Sequence, residues 1–333
     1  MAAEVILILQ EFFPTQERAG DPRQEPGFPA LERVLAAAQH EPLGSDWRAA
    51  LAQRHGSVQG AAALSSARIA ARVFAGGDTA ALAPGCWLAT PVHYFAGLDS
   101  VHLHPAGLLR LSPEEQAALV GDFNREFADG AWRLWATGRR ELLLSGVHSD
   151  AGSADPARWL GKPLERGPVG RAGASELRRL GVGLEMWLHE HPLNRAREAG
   201  GKLRVIGLWL WGSEPLRLSA GARRGSPVTL WGQDTVAEAI GQLSGWSHEA
   251  ATPDGPGALR GDGIHVVLLP GTAGEGGVLD PLERCWLTPA LAALRAGTLQ
   301  TLELFAGAHA FRLRRLHLAR FWRSRAPWRE ALA

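Results

Sequence analysis

The chain is nearly without tyrosine, with one against 13 tryptophans, and it has only two cysteines, Cys86 and Cys285. Two thiols so far apart make neither a disulfide framework nor zinc-ligand spacing. A single bridge stays open, and two inert buried thiols are the simpler expectation. An excess of charge of one sign is lacking as well. The formal net charge is +1, so no whole-molecule field steers the protein toward nucleic acid or an anionic membrane. Long apolar runs are also missing. No stretch approaches the roughly 20 residues of a membrane span, so no membrane association is expected. The first apolar run, residues 5–9, has no basic segment before it and is too short for a secretory signal core. A cytoplasmic protein is the expectation.

What is present is ordinary for a globular chain. Hydrophobic residues make up 46% and charged residues 21%, close to the usual balance. At 333 residues a large core can be buried, in two domains or in one with an insertion. The tryptophans are expected to fill that core. The 40 glycines and 21 prolines imply many turns.

The organising stretch is residues 189–212. Leu184, Trp187, Leu188 and His191 recur at helical spacing, Pro192 breaks that run, and Gly200-Gly201 stops the charged turn that follows. Residues 205–211 are apolar throughout, as in a strand covered on both faces of a parallel α/β sheet. Taken by itself, the stretch is a core helix packed on a core strand.

Elsewhere, residues 4–10 read as a buried strand, 14–29 as a loop and 31–39 as a helix. From Cys86 the texture changes to short strands around one helix, which starts at Pro113 behind a Ser112 cap and runs to about residue 127. Strands are expected over 132–135, 141–144, 264–269, 298–305 and 310–316. A helix is expected from Cys285. The alternation between 83 and 149 suggests an inserted α+β domain.

The segment HPLNRAREAGGKL (191–203), followed by an apolar strand and Gly212, resembles a signature of archaeal-type cofactor-independent phosphoglycerate mutases, members of the alkaline-phosphatase superfamily. The LWLWG ending (208–212) resembles a bacterial family of RpfE-type regulatory proteins. These resemblances imply an alkaline-phosphatase-like α/β core with a mostly parallel sheet flanked by helices. Residues 1–82 and 150–333 would form it, with residues 83–149 as the inserted smaller domain. They also make His191, Asn194, Arg197 and Asp234 candidate ligand-facing residues.

The mutases offer stations against which this sequence can be compared. Their serine nucleophile lies in a Pro-Gly-Ser-Asp segment, matched here by Pro42-Leu-Gly-Ser45-Asp46. Ser or Asp before a helix is also a common N-cap, and capping is the favoured role. The first strand of the mutases ends in a metal-binding Asp. Here Gln10 stands there, with Glu11 one place on and facing the other way. Their Asp-Pro-His becomes Asp155-Pro156-Ala157. Their Asp-Glu-Ala-Gly-His becomes residues 271–275, Gly-Thr-Ala-Gly-Glu. Phosphoryl transfer in this superfamily needs two divalent ions and roughly six carboxylate and imidazole ligands. With substitutions at three stations, no metal and no cofactor are expected. The expectation is a catalytically degenerate regulatory protein that binds a small anionic or phosphorylated ligand, or a protein partner.

Two alternatives remain. An active mutase or phosphatase would use Ser45 with Asp46 and Asp155, and would need manganese or zinc. A nucleic-acid-associated factor would use Arg312, Arg314, Arg315, Arg320 and Arg323, although a terminal strand and helix with solvated arginines explain the same pattern. Asp234 is expected to cap the helix after the 228–231 strand. His93, His102 and His104 read as structural histidines, since two on one strand face leave a metal site incomplete.

Overall fold

The computed structural model describes residues 3–13, 27–43, 46–56, 64–76, 85–128, 130–146, 154–164, 175–216, 226–259, 262–271, 275–320, 323 and 327–332. In chain order come β1 (Ala3–Leu9), α1 (Pro29–Ala37), β2 (Gln39–Pro42), α2 (Trp47–His55) and α3 (Ser66–Phe74). Next are β3 (Gly85–Ala96), β4 (Val101–Leu108), α4 (Pro113–Glu126), β5 (Arg133–Trp135), β6 (Leu142–Gly146) and β7 (Pro163–Leu164). Then follow α5 (Ser175–Glu190), α6 (Pro192–Ala199), β8 (Gly207–Trp211), β9 (Val228–Trp231), α7 (Thr235–Ser244) and β10 (Ser247–Glu249). The last are β11 (Ile264–Leu269), α8 (Glu275–Pro281), α9 (Thr288–Ala296), β12 (Leu299–Ala306), β13 (His309–Arg314) and α10 (Trp328–Leu332). None of the described helices is long and apolar enough to cross a membrane.

The chain divides into two compact units. The first comprises Met1–Leu51, Ala222–Gln233 and Gly245–Ala333, the second Ala52–Gly221 and Asp234–Ser244. This division differs from the expected one at 82/83 and 149/150. The reason is pairing: β8 and the helices before it join β3 in the second unit, and sequence-local texture does not reveal that.

The first unit holds a seven-stranded sheet of order β10-β9-β11-β1-β12-β13-β2. The run from β10 to β12 is parallel. β13 and β2 close one side in antiparallel fashion. The unit is thus the expected α/β arrangement, a mostly parallel sheet with flanking helices. β1 is apolar on both faces because it is central: Val5, Leu7 and Leu9 enter a core with α1, α9 and α10, while Ile6 and Ile8 are equally buried on the opposite face. Such continuous runs mark strands covered on both sides.

Helix α1 is held at both ends by distant residues. No side chain of its own caps it. Instead the Glu283 carboxylate accepts from Ala30 N at 2.6 Å and Leu31 N at 2.8 Å. Glu283 lies in a π-helical turn, Leu282–Leu287, which overlaps the start of the helix expected from Cys285. At the other end Arg320 donates to Ala37 O at 3.1 Å and Arg323 to Ala38 O at 3.3 Å. Acid at the N-terminus and base at the C-terminus both complement the helix dipole.

The second unit carries an antiparallel sheet, β5-β6-β3-β4-β7, with β8 also paired to β3. The 205–211 run was expected as a strand of the parallel sheet; its Gly207–Trp211 part forms β8 here instead. Its five residues are all buried, so the double coverage is observed, but an apolar run says nothing about strand direction. Helix α4 begins as expected, with Pro113 in its first turn and a complete Ser112/Glu115 capping box. Both cysteines are free. Cys86 is buried as expected; Cys285 is exposed, which corrects the reading of two inert thiols.

Candidate functional site

Open α/β sheets place ligands at the carboxyl ends of their parallel strands. In the first unit that edge begins with Gln10, the residue after β1. Its backbone N donates to Leu269 O at 3.2 Å, at the end of β11. Its side-chain amide donates to Gln233 O at 3.1 Å, just beyond β9. One buried glutamine thus ties three strand ends together. Across from it, a Cβ placed on Gly271 would come within 2.5 Å of Glu11 Cβ, so no side chain fits there without movement. Gly232 takes a left-handed φ of 98°, which favours glycine, and its carbonyl bonds His248 Nε2 at 2.8 Å.

Beside Gly271 lies the Glu11 carboxylate, whose Oε2 would come within 3.1 Å of a Cβ placed there. The Gln10 carboxamide is neutral and engaged as a donor, and Gly271 offers no ligand atom beyond its backbone. Residues 272–274 lie outside the described residues. Among the described residues, no group of three or more His, Cys, Asp or Glu side chains is placed to hold a metal.

Ser45, the candidate nucleophile, also lies outside the described residues. The chain approaches it along the same sheet edge, where Leu43 N donates to Ala308 O at 2.8 Å. Asp46 just before α2 accepts from Arg48 N at 2.9 Å and faces the Arg48 guanidinium at 3.4 Å. That guanidinium is buried and lies over the Trp47 ring, 4.4 Å from its centroid.

In the second unit, Asp155 caps a 3₁₀ turn, Pro156–Trp159, by accepting from Ala157 N at 2.9 Å. Asp234 caps α7, accepting from Val236 N at 3.1 Å and Ala237 N at 2.9 Å. Capping was the favoured alternative for Asp234, and it is the arrangement observed. Around the same helix start lies a buried charge network that sequence reading missed. Arg139 pairs with Glu238, Arg140 with Glu141 at 2.9 Å, and the Thr235 hydroxyl donates to Glu141. The one available signal was the Arg139-Arg140-Glu141 run immediately before a strand.

The His191, Asn194 and Arg197 trio, which carries the resemblance, forms a structural knot. Arg197 Nη1 reaches both Glu115 oxygens, while its Nε donates to Leu203 O at 2.7 Å. Asn194 donates to Leu188 O at 2.7 Å and Val205 O at 2.8 Å and accepts from Val205 N at 2.7 Å. It thereby fastens the end of α5 to the segment entering β8. His191 caps α6, with Nδ1 accepting from Leu193 N at 3.1 Å. Its Nε2 lies 3.2 Å from Asp122 Oδ2, at ion-pair distance but without hydrogen-bond geometry. Burial lowers the His191 pKa, and Asp122 opposes that shift. All three side chains are buried, and the bonds just named explain this spacing without a ligand.

The remaining candidates are placed as follows. His93 bonds Arg204 O, His102 bonds Ser100 Oγ, and His104 accepts from Ala106 N. Arg320 and Arg323 cap α1, and Arg312 pairs with Glu4 at 3.2 Å. Arg314 and Arg315 are exposed.

No family model matches the chain, and no curated protein matches it. Two solved structures align over most of its length. The PH0037 protein from Pyrococcus horikoshii is 9% identical, with a TM-score of 0.43 over 94% of this chain and 88% of that one. A cofactor-independent phosphoglycerate mutase from Thermoplasma acidophilum is 16% identical, with a TM-score of 0.30 over 94% and 89%. Overlaps this loose do not transfer a site.

Proposed function

We propose that this protein is a mutase-like scaffold that binds a small anionic, phosphorylated ligand without turning it over, and acts by that binding in a regulatory role. The observation behind the reading is Gln10. At the end of the central parallel strand, where the mutase pattern has a metal-binding aspartate, a neutral amide donates to Gln233 O just beyond β9, two strands away. A two-ion centre lowers the pKa of the attacking hydroxyl and neutralises phosphoryl oxygens. A donor amide and a glycine too crowded to be replaced supply neither. The phosphorylated character of the ligand comes from the resemblance to the mutases, of which residues 191–203 carry a signature, and not from a contact of His191, Asn194 or Arg197, whose bonds are internal.

The test uses the full chain. Interconversion of 2- and 3-phosphoglycerate and hydrolysis of p-nitrophenyl phosphate are followed with added Mn²⁺ or Zn²⁺, beside Ser45→Ala. Equal background rates are expected, together with a rise in melting temperature when 3-phosphoglycerate is added, because a ligand of the folded state stabilises it. Metal-dependent turnover that Ser45→Ala abolishes overturns the non-catalytic reading. An unchanged melting temperature overturns the ligand reading.

A further inference from the structure

At the antiparallel side of the first unit's sheet, two imidazoles meet. His40 Nε2 and His309 Nδ1 lie 2.9 Å apart, and the contact is exposed. The register explains the meeting. His40 pairs with Phe311 and Pro42 with His309, so the two histidines are diagonal neighbours. Residues two apart along a strand share a face, which puts His40, Pro42, His309 and Phe311 on one side. The buried Phe311 ring is a platform for His40: the rings stack with centroids 5.0 Å apart and an interplanar angle of 19°.

We infer that His40 and His309 form a two-imidazole site for a divalent transition ion of the zinc, nickel or copper class. Imidazole nitrogen suits those ions better than magnesium or calcium. With metal–nitrogen bonds of about 2.0–2.1 Å, two ligands of a tetrahedral ion stand about 3.3 Å apart. The nitrogens therefore need to part by only a few tenths of an ångström, and the two rings turn so that their lone pairs converge on the ion instead of facing each other. One nitrogen of the facing pair now carries a proton and the other accepts it. On binding, the donor ring moves its proton to its far nitrogen, and both near lone pairs point at the ion with no net proton release. Water completes the coordination shell, since the described residues provide no third side-chain ligand.

The site is separate from Gln10 and Gly271, although His309 follows Ala308, whose carbonyl accepts from Leu43 N on the way to Ser45. It lies on β13 and β2, whereas Gln10 and Gly271 follow β1 and β11. Strands β1 and β13 are separated by β12, which is about 10 Å across the sheet.

The test is calorimetric titration of the full chain with Zn²⁺ at pH 7.5, for wild type, His40→Ala and His309→Ala, with folding checked by circular dichroism. One ion is expected to bind to wild type. Either variant should weaken it by about tenfold or more, because the second imidazole engages as an intramolecular partner. A readout on wild type alone guards against folding defects. Zn²⁺ should protect His40 and His309 from diethylpyrocarbonate, as mapped by peptide mass, and leave His93 and His104 unprotected. No binding, unchanged affinity in both variants, or protection confined to other histidines overturns the proposal. Because the readout is binding and not turnover, its failure is distinct from failure of the non-catalytic reading.

Discussion

Arg197 Nη1 lies 2.9 and 3.0 Å from the two carboxylate oxygens of Glu115, a residue 82 positions earlier. Glu115 in turn accepts from Ser112 N at 2.8 Å. One guanidinium therefore secures the start of α4, the end of α6 and, through Leu203 O, the chain leading into β8.

Arg197→Ala is expected to lower stability by about 2–3 kcal/mol, since it removes the buried guanidinium's bonds to Glu115 and Leu203 O and leaves the carboxylate to Ser112 N and to Lys202 Nζ at 3.7 Å. Arg197→Lys can reach Glu115 but has no counterpart to the Nε–Leu203 bond, so it should recover only part of the loss. Urea midpoints of the three proteins check this. Equal midpoints would show the pair to be inconsequential.

Asn194→Asp replaces two donated bonds with oxygens facing the carbonyls of Leu188 and Val205. A loss of about 3–5 kcal/mol at pH 7 is expected, as for an uncompensated buried charge. Asn194→Ala removes those bonds and the one accepted from Val205 N, but introduces no charge, and should lose less. The difference in urea midpoint between the two variants is the measurement.

Three histidines predict an acid-sensitive fold. Burial is the leading cause that lowers the pKa of His191, His309 and His317, with His40 adding to the effect at His309 and Arg320 at His317. A folded pKa below the unfolded value means that the native state favours the neutral ring. The contribution is therefore complete above about pH 6.5 and is withdrawn as pH falls through that value, where only the unfolded chain readily takes the proton. The urea midpoint should drop between pH 7.5 and pH 5.5. His317→Asn should flatten that dependence, and a midpoint that rises on acidification would contradict the sign.

The two thiols should differ sharply. Burial pushes the Cys86 thiol up to about 12, against a smaller opposing pull from Arg68, and Cys285 is exposed. With the native protein at pH 8, a thiol-specific disulfide reagent is expected to label Cys285 and leave Cys86 untouched until urea is added, because the thiolate is the reactive form. Peptide mapping that finds both labelled in the native state would refute this.

Much of the fold was legible from local signals. β1 and β11 announce themselves as buried apolar runs and β12 as an alternating strand, and Ser112, Pro113 and Glu115 mark the start of α4. Helix α1 runs over Pro29–Ala37 instead of 31–39 because Gln39 is drawn into β2. What could not be read was pairing at a distance. Nothing local to Trp209 shows that its strand runs antiparallel to β3, and nothing near Ala30 names Glu283 as its cap. The site was legible in a different way. Asp46, Asp155 and Asp234 each stand where an aspartate can serve as a helix cap or as a ligand, and sequence alone does not separate those roles. The bonds to Arg48 N, Ala157 N and Ala237 N show the capping role.

The place of β1 between β11 and β12 has a consequence for how the chain is made. Its ladder partners are residues 264–269 and 299–306, so an early-translated hydrophobic segment must wait for most of the polypeptide before it can be zipped into place. Meanwhile the second unit, all of which precedes residue 264 in the chain, can collapse on its own. Chains that stall before Leu299 would therefore display an unshielded sticky ribbon, the kind of surface that chaperones hold and that seeds inclusion bodies when they do not.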